Sequence, residues 1–513
     1  MRHIRIPCYS RDRGIAMLVA VLSLLPLKPS LAQSPVTVIE TAFGSLSAER
    51  MLADIRTLSD PSFNGRQSGT KADVESARWV AHEFLSAGLD LPLVGNDSLT
   101  EPFLTGKDGT SSGGMATVIS TPVMAPDPIL RVGPSDHFEI KAVGLDYFPV
   151  FDSPSADLQG QIVFVGYGIV DAAQGLDDYA GVDVSNSVVL FLRGKPEHYS
   201  GAVSHADKVR LARERGAIGY LTATGPILHP YETRRGVTGR PGAFYGQLPL
   251  DQAIPGAWIS TSLAQELLEE SNRDVPDRLR LLQERLNLAA SSHATRTKQS
   301  ASLHWKTTTE DGILVNVVGM IPGTGTESVI IGAHRDHFGR PGGILFPGAD
   351  DNASGTAVIL EVARALSKID LRPTRTILFV SFSGEERDLL GSRLYISRPL
   401  VPLDSTKAMI NIDHAGVGNR RLTVGMTGLE KDILLEAGKT AGVHEHLDLY
   451  GFFPGGDHVP FKEAGVPTVT VVSGGVHPHF HQPTDTADTV DKAILQSVAR
   501  YVTAVMWRLA YQP

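Results

Sequence analysis

The feature that most constrains the fold of this chain is the regular alternation of apolar strand-like runs and amphipathic helix-like runs beyond residue 310. The predicted strands cover residues 314–320, 328–334, 376–382, 407–413 and 467–472. The predicted helices cover about 354–368, 427–441, 457–465 and 490–510. Strands that alternate with helices usually form a largely parallel sheet. We therefore predict an α/β domain with a mostly parallel or mixed sheet and helices on both faces.

Histidines and acidic residues lie at or just after the ends of these predicted strands. In an open α/β sheet, reactive and ligand-binding groups collect beyond the carboxyl ends of the strands. The groups are His334–His337, Asp350 and Asp351, Glu385 and Glu386, Asp413, and a histidine cluster from His477 to Asp485. Each group alone has an ordinary structural explanation, since aspartate caps helices and Arg387 can neutralise adjacent glutamates. Their recurrence at successive strand ends indicates one shared site.

The residue types at this site favour a metal centre with nitrogen and oxygen ligands. The chain has one cysteine, Cys8, which excludes a disulfide framework and a cysteine-ligated metal. Two histidines and three carboxylates suit two borderline divalent ions, such as Zn²⁺, that share one carboxylate. Two such ions ionise a water molecule and polarise a carbonyl, and a further glutamate would accept the proton.

These motifs resemble those of the co-catalytic di-zinc aminopeptidase family, which also includes glutamate carboxypeptidases, glutaminyl cyclases and the transferrin receptor ectodomain. The matching stretches, in family order, are 333–337, 348–355, 384–386 with 390–392, 411–413, 456–461, and His481 with Asp485. The resemblance is strong over about 310–513, and residues 64–70 weakly resemble the entry loop of the family. It implies the zinc exopeptidase fold and a cofactor of two zinc ions.

The resemblance also implies a role for each matched residue. The implied ligands are His334 and Asp413 for one zinc ion, Glu386 and His481 for the other, and Asp351 as the bridge between them. Glu385 would be the general base, and Asp336 and Asp485 would orient ligands. Asp350 is the less favoured bridge, because in the family pattern the ligand directly precedes the Asn or Asp of the following stretch.

The chain departs from the family pattern at Phe480. Some family members carry a tyrosine there, directly before the last histidine, as the hydrogen-bond donor to the oxyanion of the reaction intermediate. Phenylalanine has no hydroxyl group, so this donor is missing. Two candidate replacements lie in or just before the 457–458 motif, namely His458 and Tyr450. The alternative is that Phe480 only lines the pocket and the metals suffice.

The region from about 138 to 262 has a different character, with short β-rich runs and one amphipathic helix. It resembles a protease-associated (PA) domain through residues 163–168, 177–181 and 187–194. In such families this domain is inserted within the peptidase domain. The predicted organisation is a signal peptide at 1–32, the first part of the peptidase domain at 36–137, the inserted PA domain at 138–262, a helical connector at 263–300, and the metal-bearing second part at 301–513.

The first 32 residues predict export. A basic segment precedes an apolar run from Gly14 to Leu27, and Ser30-Leu31-Ala32 supplies small residues before a cut ahead of Gln33. We expect a periplasmic or secreted protein with no membrane attachment after cleavage. The net charge is −9, which argues against a nucleic-acid partner. The expected partners are peptide substrates, and the oligomeric state stays open.

The favoured function is that of a secreted zinc aminopeptidase that releases N-terminal residues from peptides. The second enzymatic interpretation is a glutamate carboxypeptidase-like exopeptidase, which needs a basic pocket; Arg335, Arg340 and Arg387 are its candidates. A glutaminyl cyclase is a further variant, but those proteins usually lack the inserted module. The alternative from another class is a non-catalytic binding protein on the same fold. Loss of ligands would mark that protein, and none is lost here.

Overall fold

The computed structural model of this chain describes residues 35–92, 104–105, 111–112, 114–228, 233, 238–269, 277–288 and 293–512. The predicted signal peptide and Cys8 lie outside the described residues.

The α-helices are α1 (Pro35–Ser45), α2 (Ala48–Leu58), α3 (Lys71–Ser86), α4 (His205–Glu214), α5 (Thr261–Leu268), α6 (Arg278–Leu288), α7 (Gly355–Leu366), α8 (Leu390–Ser397), α9 (Lys431–Ala441), α10 (His458–Glu463) and α11 (Lys492–Ala510). The strands are β1 (Leu104–Thr105), β2 (Ser111–Ser112), β3 (Met115–Met124), β4 (Ile129–Gly133), β5 (Glu139–Ile140), β6 (Tyr147–Pro149), β7 (Ala156–Phe164), β8 (Val170–Asp171), β9 (Leu176–Asp177), β10 (Val188–Leu192), β11 (Gly219–Ala223), β12 (Gly256–Ile259), β13 (Thr295–Trp305), β14 (Thr307–Ile321), β15 (Ser328–His334), β16 (Thr376–Phe382), β17 (Thr406–Ile412), β18 (Leu422–Thr427), β19 (Leu447–Tyr450) and β20 (Thr468–Ser473).

The first sheet has eight strands in the order β19-β18-β20-β17-β15-β16-β14-β3. Its four central strands, β20, β17, β15 and β16, are parallel to one another. At the flanks, β14 runs antiparallel to β16 and β18 runs antiparallel to β20. The parallel centre brings the carboxyl ends of these four strands to the same edge, which is where the candidate ligands were predicted to lie.

Helices cover both faces of this sheet, because the central strands are apolar on both sides. Along β15, Val329 and Ile331 pack into the core formed with α1, α2, α3, α7, α9 and α11, whereas Ile330 faces the opposite side. On that opposite side, Tyr395 of α8 and Phe461 of α10 complete a smaller core. The predicted α/β fold, with a mixed sheet between two layers of helices, is confirmed.

A second sheet is formed by the chain between β3 and β14. Its eight strands have the order β5-β4-β13-β7-β10-β11-β12-β6 and extend from Ile129 to Trp305. The segment that forms this sheet therefore begins before residue 138 and ends after residue 262, the predicted limits of the module. The predicted connector at 263–300 contains α5 and α6, but β13 follows them and pairs with β4 and β7 of the second sheet. The assignment of this module as a PA domain stays a prediction.

The predicted elements of the last 200 residues agree with the structure to within about four residues, except that β14 begins at Thr307 rather than at 314. The strands β18 and β19 and the helix α8 were not predicted. None of the helices in the described part of the chain is long and apolar enough to cross a bilayer.

Candidate metal centre

The five predicted ligands converge at the carboxyl edge of the first sheet. His334 is the last residue of β15, and Asp413 directly follows β17. Glu386 lies just beyond β16, His481 lies in the loop after β20, and Asp351 lies in the turn that leads into α7. Strand and helix termini thus bring together residues that are up to 147 positions apart in the sequence.

Asp351 is the centre of this arrangement. Its Oδ1 lies 3.6 Å from Nε2 of His334, and its Oδ2 lies 3.2 Å from Nε2 of His481. Asp413 Oδ1 lies 3.4 Å from His334 Nε2, and Glu386 Oε2 lies 3.5 Å from His481 Nε2. The ligands therefore form two halves that share the Asp351 carboxylate. We call them the His334 half and the His481 half.

The electrostatics of the two halves fit divalent cations. Oδ2 of Asp351 and Oδ1 of Asp413 are buried and accept no hydrogen bond from the described residues. Burial, followed by repulsion from Asp351 and Glu385, raises the pKa of Glu386 well above its ordinary value. Several carboxylates buried side by side are costly unless cations compensate them. A set of histidine and carboxylate ligands without cysteine suits Zn²⁺.

Glu385 stands beside the His334 half, close enough to form a group with His334 and Asp413. Its Oε2 lies 4.0 Å from His334 Nε2, and its side chain lines a pocket together with Asp413. Burial raises the pKa of Glu385 to about 8; His334 opposes this shift, and the neighbouring charges of Asp413 and Asp457 add to it. A carboxylate in this position can accept a proton from a water molecule between the two halves.

The two predicted orienting residues, Asp336 and Asp485, each contact a segment that carries a predicted ligand. His334 Nδ1 lies 3.2 Å from the main-chain carbonyl of Asp336 and 3.7 Å from its carboxylate, which accepts the N–H of Glu385 at 3.2 Å. The carboxylate of Asp485 accepts the backbone N–H groups of Asp350 and Asp351 at 2.9 and 3.0 Å. Asp485 therefore holds the backbone of the turn that carries the predicted ligand Asp351.

His481 is oriented by the second sheet's module. Its Nδ1 lies 2.8 Å from the main-chain carbonyl of Ala243, in the segment between β11 and β12. Next to it, Gln482 donates from Nε2 to the carbonyl of Pro241 at 2.8 Å. A carbonyl that accepts the far N–H of a ligating histidine fixes its tautomer and ring orientation. The inserted module is thus part of the metal centre.

Arg66, in the weakly matching 64–70 loop, ties the ligand-bearing segments together. Its guanidinium is fully buried and donates to the carbonyls of Arg335, Pro347 and Gly348 at 2.6 to 2.8 Å. These carbonyls flank the strand end that carries His334 and the turn that carries Asp351. The loop therefore has a structural role at the site.

Two histidines at the site had no role in the sequence analysis. His337 is buried, and its Nδ1 lies 2.8 Å from Oε1 of Glu386. His414 directly follows Asp413, and its Nδ1 lies 3.3 Å from Oδ2 of Asp350. Their positions immediately beside predicted ligands were the available signal, but the direction of each ring depends on the folded backbone.

The candidate oxyanion donors occupy different surroundings. Tyr450 is 42% exposed and lines the pocket, as does Phe480. His458 is buried, and its Nε2 lies 2.8 Å from the main-chain carbonyl of Phe453. The ring of Phe480 stacks on His481 with 3.7 Å between the ring centroids, so it packs directly on a predicted ligand.

The fold and the paired ligand sets define an α/β protein with a candidate metal centre at the carboxyl edge of its first sheet. Among solved structures, the fold is similar to an aminopeptidase from Aneurinibacillus sp. strain AM-1, with a TM-score of 0.63 and 22% identity over 92% of this chain and 96% of that chain. It is also similar to the peptidase M28 precursor from Shewanella amazonensis SB2B, with a TM-score of 0.62 and 19% identity over 93% and 97% of the two chains. The fold is also similar to a zinc aminopeptidase from Bacillus subtilis, with a TM-score of 0.57 and 20% identity over 91% of this chain and 96% of that chain.

Residues 316–506 match the model of peptidase family M28. Aminopeptidase YwaD of Bacillus subtilis is 33% identical over 172 residues, which are 31% of this chain and 37% of that protein. A probable leucine aminopeptidase of Arthroderma otae is 31% identical over 212 residues, or 38% of this chain and 58% of that protein. The matches thus span between about a third and three fifths of these curated relatives.

Proposed function

We propose that this protein is a zinc-dependent aminopeptidase that releases N-terminal residues from peptides at a centre of two zinc ions. The observation that carries the proposal is the pair of ligand halves joined by Asp351, with the unliganded carboxylate of Glu385 beside them. The names of the relatives and the family match support the same reaction class. A non-catalytic binding protein would have no use for a proton acceptor at this position.

In this mechanism, zinc ions held by the two halves would lower the pKa of a water molecule and polarise the scissile carbonyl. Glu385 takes a proton from the attacking water and later transfers it to the leaving amine. Its surroundings suit a group that exchanges protons, because burial raises the pKa of this carboxylate. Asp351, Asp413 and Glu386 supply the negative charge that holds the cations.

The pocket beside Glu385 supports recognition of an apolar side chain. Its walls are mainly apolar and aromatic, with contributions from Phe452, Phe453, Val472 and Phe480. Acidic side chains of this pocket and the metal centre are available to bind a free α-amine. We therefore expect aminoacyl substrates with an apolar N-terminal residue to be hydrolysed most rapidly.

The carboxypeptidase alternative needs an arginine or lysine in the pocket, and the described residues that line it include neither. Arg335 is fully buried and paired with Asp73, with 2.6 Å between Nη2 and Oδ1. Arg387 donates to the carbonyl of Ser120 at 2.6 Å, and Arg340 donates to Asn64 at 3.0 Å. None of the three candidate arginines is placed to bind a substrate carboxylate in this pocket.

The test is a panel of amino-acid p-nitroanilides and peptides, with free and acetylated N-termini, assayed together with elemental analysis of the purified protein. The proposal predicts two zinc ions per chain, loss of activity with a chelator, and cleavage of free but not acetylated peptides. Cleavage of acetylated peptides from the carboxyl end would support the carboxypeptidase instead. A protein with fewer than two metal ions at full activity would contradict the two-zinc centre.

We propose further that the protein is exported to the periplasm or the medium, because residues 1–32 combine a basic segment, an apolar run and a small-residue cut site. The second sheet's module is proposed to be a PA domain that borders the substrate cleft. Amino-terminal sequencing of protein recovered from the periplasm and the medium tests export. Recovery only in the cytoplasm with residues 1–32 intact would contradict it.

A further inference from the structure

We propose that Asp152 is a positioning residue that strengthens zinc binding in the His481 half, because its carboxylate holds residues 243–247 in place. This inference rests on the proposed function, since it takes the cation to be zinc. Asp152 belongs to the second sheet's module, follows the last residue of β6 by three positions and is a member of neither ligand half.

The carboxylate of Asp152 holds a turn that the backbone does not favour by itself. Its Oδ1 accepts the N–H group of Gly246 at 2.6 Å, and its Oδ2 accepts the N–H group of Gln247 at 2.9 Å. Gln247 has a φ of 60°, in the left-handed region that non-glycine residues seldom adopt. Such a conformation costs free energy, so it persists only where the surrounding structure requires it. The two hydrogen bonds to Asp152 supply part of that requirement.

The same segment contacts the ligand-bearing loop at its other end. Ala243 donates its N–H group to the main-chain carbonyl of His481 at 2.9 Å, and its own carbonyl lies 2.8 Å from Nδ1 of His481. A carbonyl that accepts the far N–H group of a ligating histidine fixes the direction of the ring. Residues 243–247 therefore connect the carboxylate of Asp152 with the orientation of a predicted ligand.

Regular secondary structure does not hold this segment. In the described part of the chain between β11 and β12, residues 238–255 form neither a helix nor a strand. The carbonyl of Phe244 accepts the N–H group of Phe151, the residue before Asp152, at 3.2 Å. Because no ladder of backbone hydrogen bonds fixes the segment, the direction of its carbonyls depends on individual contacts such as these.

The residues that carry Asp152 are themselves anchored in the module. Val150 donates its N–H group to the carbonyl of Gly256 at 2.9 Å, which extends the pairing of β6 with β12. The ring of Phe151 is buried, with its centroid 6.1 Å from that of Phe148 and 5.5 Å from that of Phe346. Asp152 is therefore carried by a well-packed part of the module, and its carboxylate gives residues 243–247 a fixed point of attachment.

Asp178 provides a matched control in the same module. Its Oδ2 accepts the N–H groups of Tyr167 and Ile169 at 3.1 and 3.0 Å, and its side chain is less exposed than that of Asp152. These hydrogen bonds hold residues 167–169 rather than residues 243–247. Loss of the Asp178 carboxylate should therefore destabilise the module at least as much as loss of the Asp152 carboxylate. An effect on zinc that arises only from destabilisation would appear in both variants.

The experiment introduces Asp152→Ala, Asp152→Asn and Asp178→Ala into two parent proteins, His334→Ala and His481→Ala. The first parent keeps only the His481 half complete, and the second keeps only the His334 half complete. Competition with a zinc-binding dye measures the zinc affinity of each protein, and urea unfolding without metal measures its stability. Hydrogen–deuterium exchange of peptides that cover residues 243–247, also without metal, reports how firmly this segment is held.

In the His334→Ala parent, Asp152→Ala should weaken zinc binding about tenfold, the lower end of the effect of losing an outer contact of a ligating histidine. Asp152→Asn keeps one acceptor oxygen, so its affinity should fall between those of the alanine variant and the parent. In the His481→Ala parent, both changes should leave the affinity within about twofold, as should Asp178→Ala in either parent. Residues 243–247 should exchange faster in Asp152→Ala than in Asp178→Ala.

Two results would overturn the proposal. Equal weakening of zinc binding by Asp152→Ala and Asp178→Ala would show that the effect comes from destabilisation of the module. An unchanged affinity of the His481 half in Asp152→Ala, or in Asp152→Asn where the alanine variant does not fold, would show that Asp152 does not position His481. Zinc binding is measured without substrate, so a protein that hydrolyses no aminoacyl substrate would contradict the proposed function and leave this comparison valid.

Discussion

Asp351 is the residue on which both halves of the metal centre depend, because each of its oxygens faces a different histidine. The adjacent Asp350 has the same side chain but turns away, toward His414 and His477. Two backbone N–H groups donated to Asp485 fix the turn in which both lie. The two neighbouring aspartates therefore have different partners: Asp351 faces the histidines of the two predicted ligand halves, and Asp350 contacts His414 and His477.

Replacing Asp351 by alanine should reduce the zinc content from two ions to less than one, because the change removes a ligand from both halves. His334→Ala should lose one ion and keep the other. Asp350→Asn is the matched control and should retain both, since this carboxylate belongs to neither half. Elemental analysis after dialysis gives the comparison, and equal zinc loss in the Asp351 and His334 variants would contradict the bridge.

Glu385→Gln should keep the fold and two zinc ions but lower kcat by about 10² to 10⁴, because glutamine preserves the shape and cannot accept a proton. The same substitution at the adjacent residue, Glu386→Gln, should instead lose zinc from the His481 half. The measurements are kcat on leucine p-nitroanilide and zinc content. A kcat of Glu385→Gln within about threefold of wild type would reject its role as base.

At the scale of elements, local patterns predicted the parallel centre of the first sheet and the strand ends that carry the ligands. The apolar run of β15 and its terminal histidine are contiguous in the sequence, so the local pattern predicts both the strand and the histidine at its end. The limits of the second sheet could not be predicted from local patterns, because β13 pairs with β7, which lies more than 130 residues earlier in the chain. Pairing between distant segments leaves no local signal.

The difference between local patterns and contacts of distant residues also explains which features of the site the sequence analysis did not predict. The predicted ligands lie in short motifs with recognisable spacing, so residue types and their order suffice to propose them. The contact between His481 and the carbonyl of Ala243 joins residues 238 positions apart and uses a backbone atom. The direction of the His414 ring follows from a positive φ. Neither property can be inferred from residue types alone.

Asp178, which directly follows β9, predicts a pH dependence within the second sheet's module. Its Oδ2 accepts the backbone N–H groups of Tyr167 and Ile169 at 3.1 and 3.0 Å, and its Oδ1 accepts none from the described residues. Burial raises the pKa of Asp178 from 3.8 to about 6. The folded state therefore holds this proton to higher pH than the unfolded state does.

Because the folded pKa lies above the unfolded one, the contribution of Asp178 to stability is present below about pH 4 and is lost as the pH rises through about 6. The loss amounts to about 3 kcal/mol. Asp178→Asn lacks this titration, so its free energy of unfolding relative to wild type should rise across that window. Urea unfolding at several pH values tests this, and a pH-independent difference would contradict it.

At the scale of the whole molecule, the second sheet's module and the first sheet meet at the metal centre. The segment between β11 and β12 supplies the carbonyls of Pro241 and Ala243 to Gln482 and His481. Nearby, the ring of Phe338 lies 5.4 Å from Tyr245 and 5.9 Å from Phe151, which adds an apolar contact between the two parts. The module is therefore attached at the candidate metal centre.

Gly242→Val should weaken zinc binding at the His481 half by about 10- to 100-fold, because an outer contact of a ligating histidine is displaced. A Cβ atom at Gly242 would lie 3.1 Å from the ring of Trp258 and 3.5 Å from Cβ of His481. The His334 half serves as the internal control and should keep its affinity. Competition with a zinc-binding dye measures both halves, and equal weakening at the two would contradict this explanation.

The hydrogen bond from His481 to Ala243 also makes metal occupancy and module attachment reciprocal. If zinc in the His481 half favours the docked module, then a docked module favours zinc by the same free energy. Calorimetry should therefore record one cooperative melting transition for the zinc-loaded protein and two for the metal-free protein. Because the module's contribution is a main-chain carbonyl, side-chain variation at position 243 would leave it in place. A bound cation would thus stabilise the docking of the second sheet's module against the first sheet.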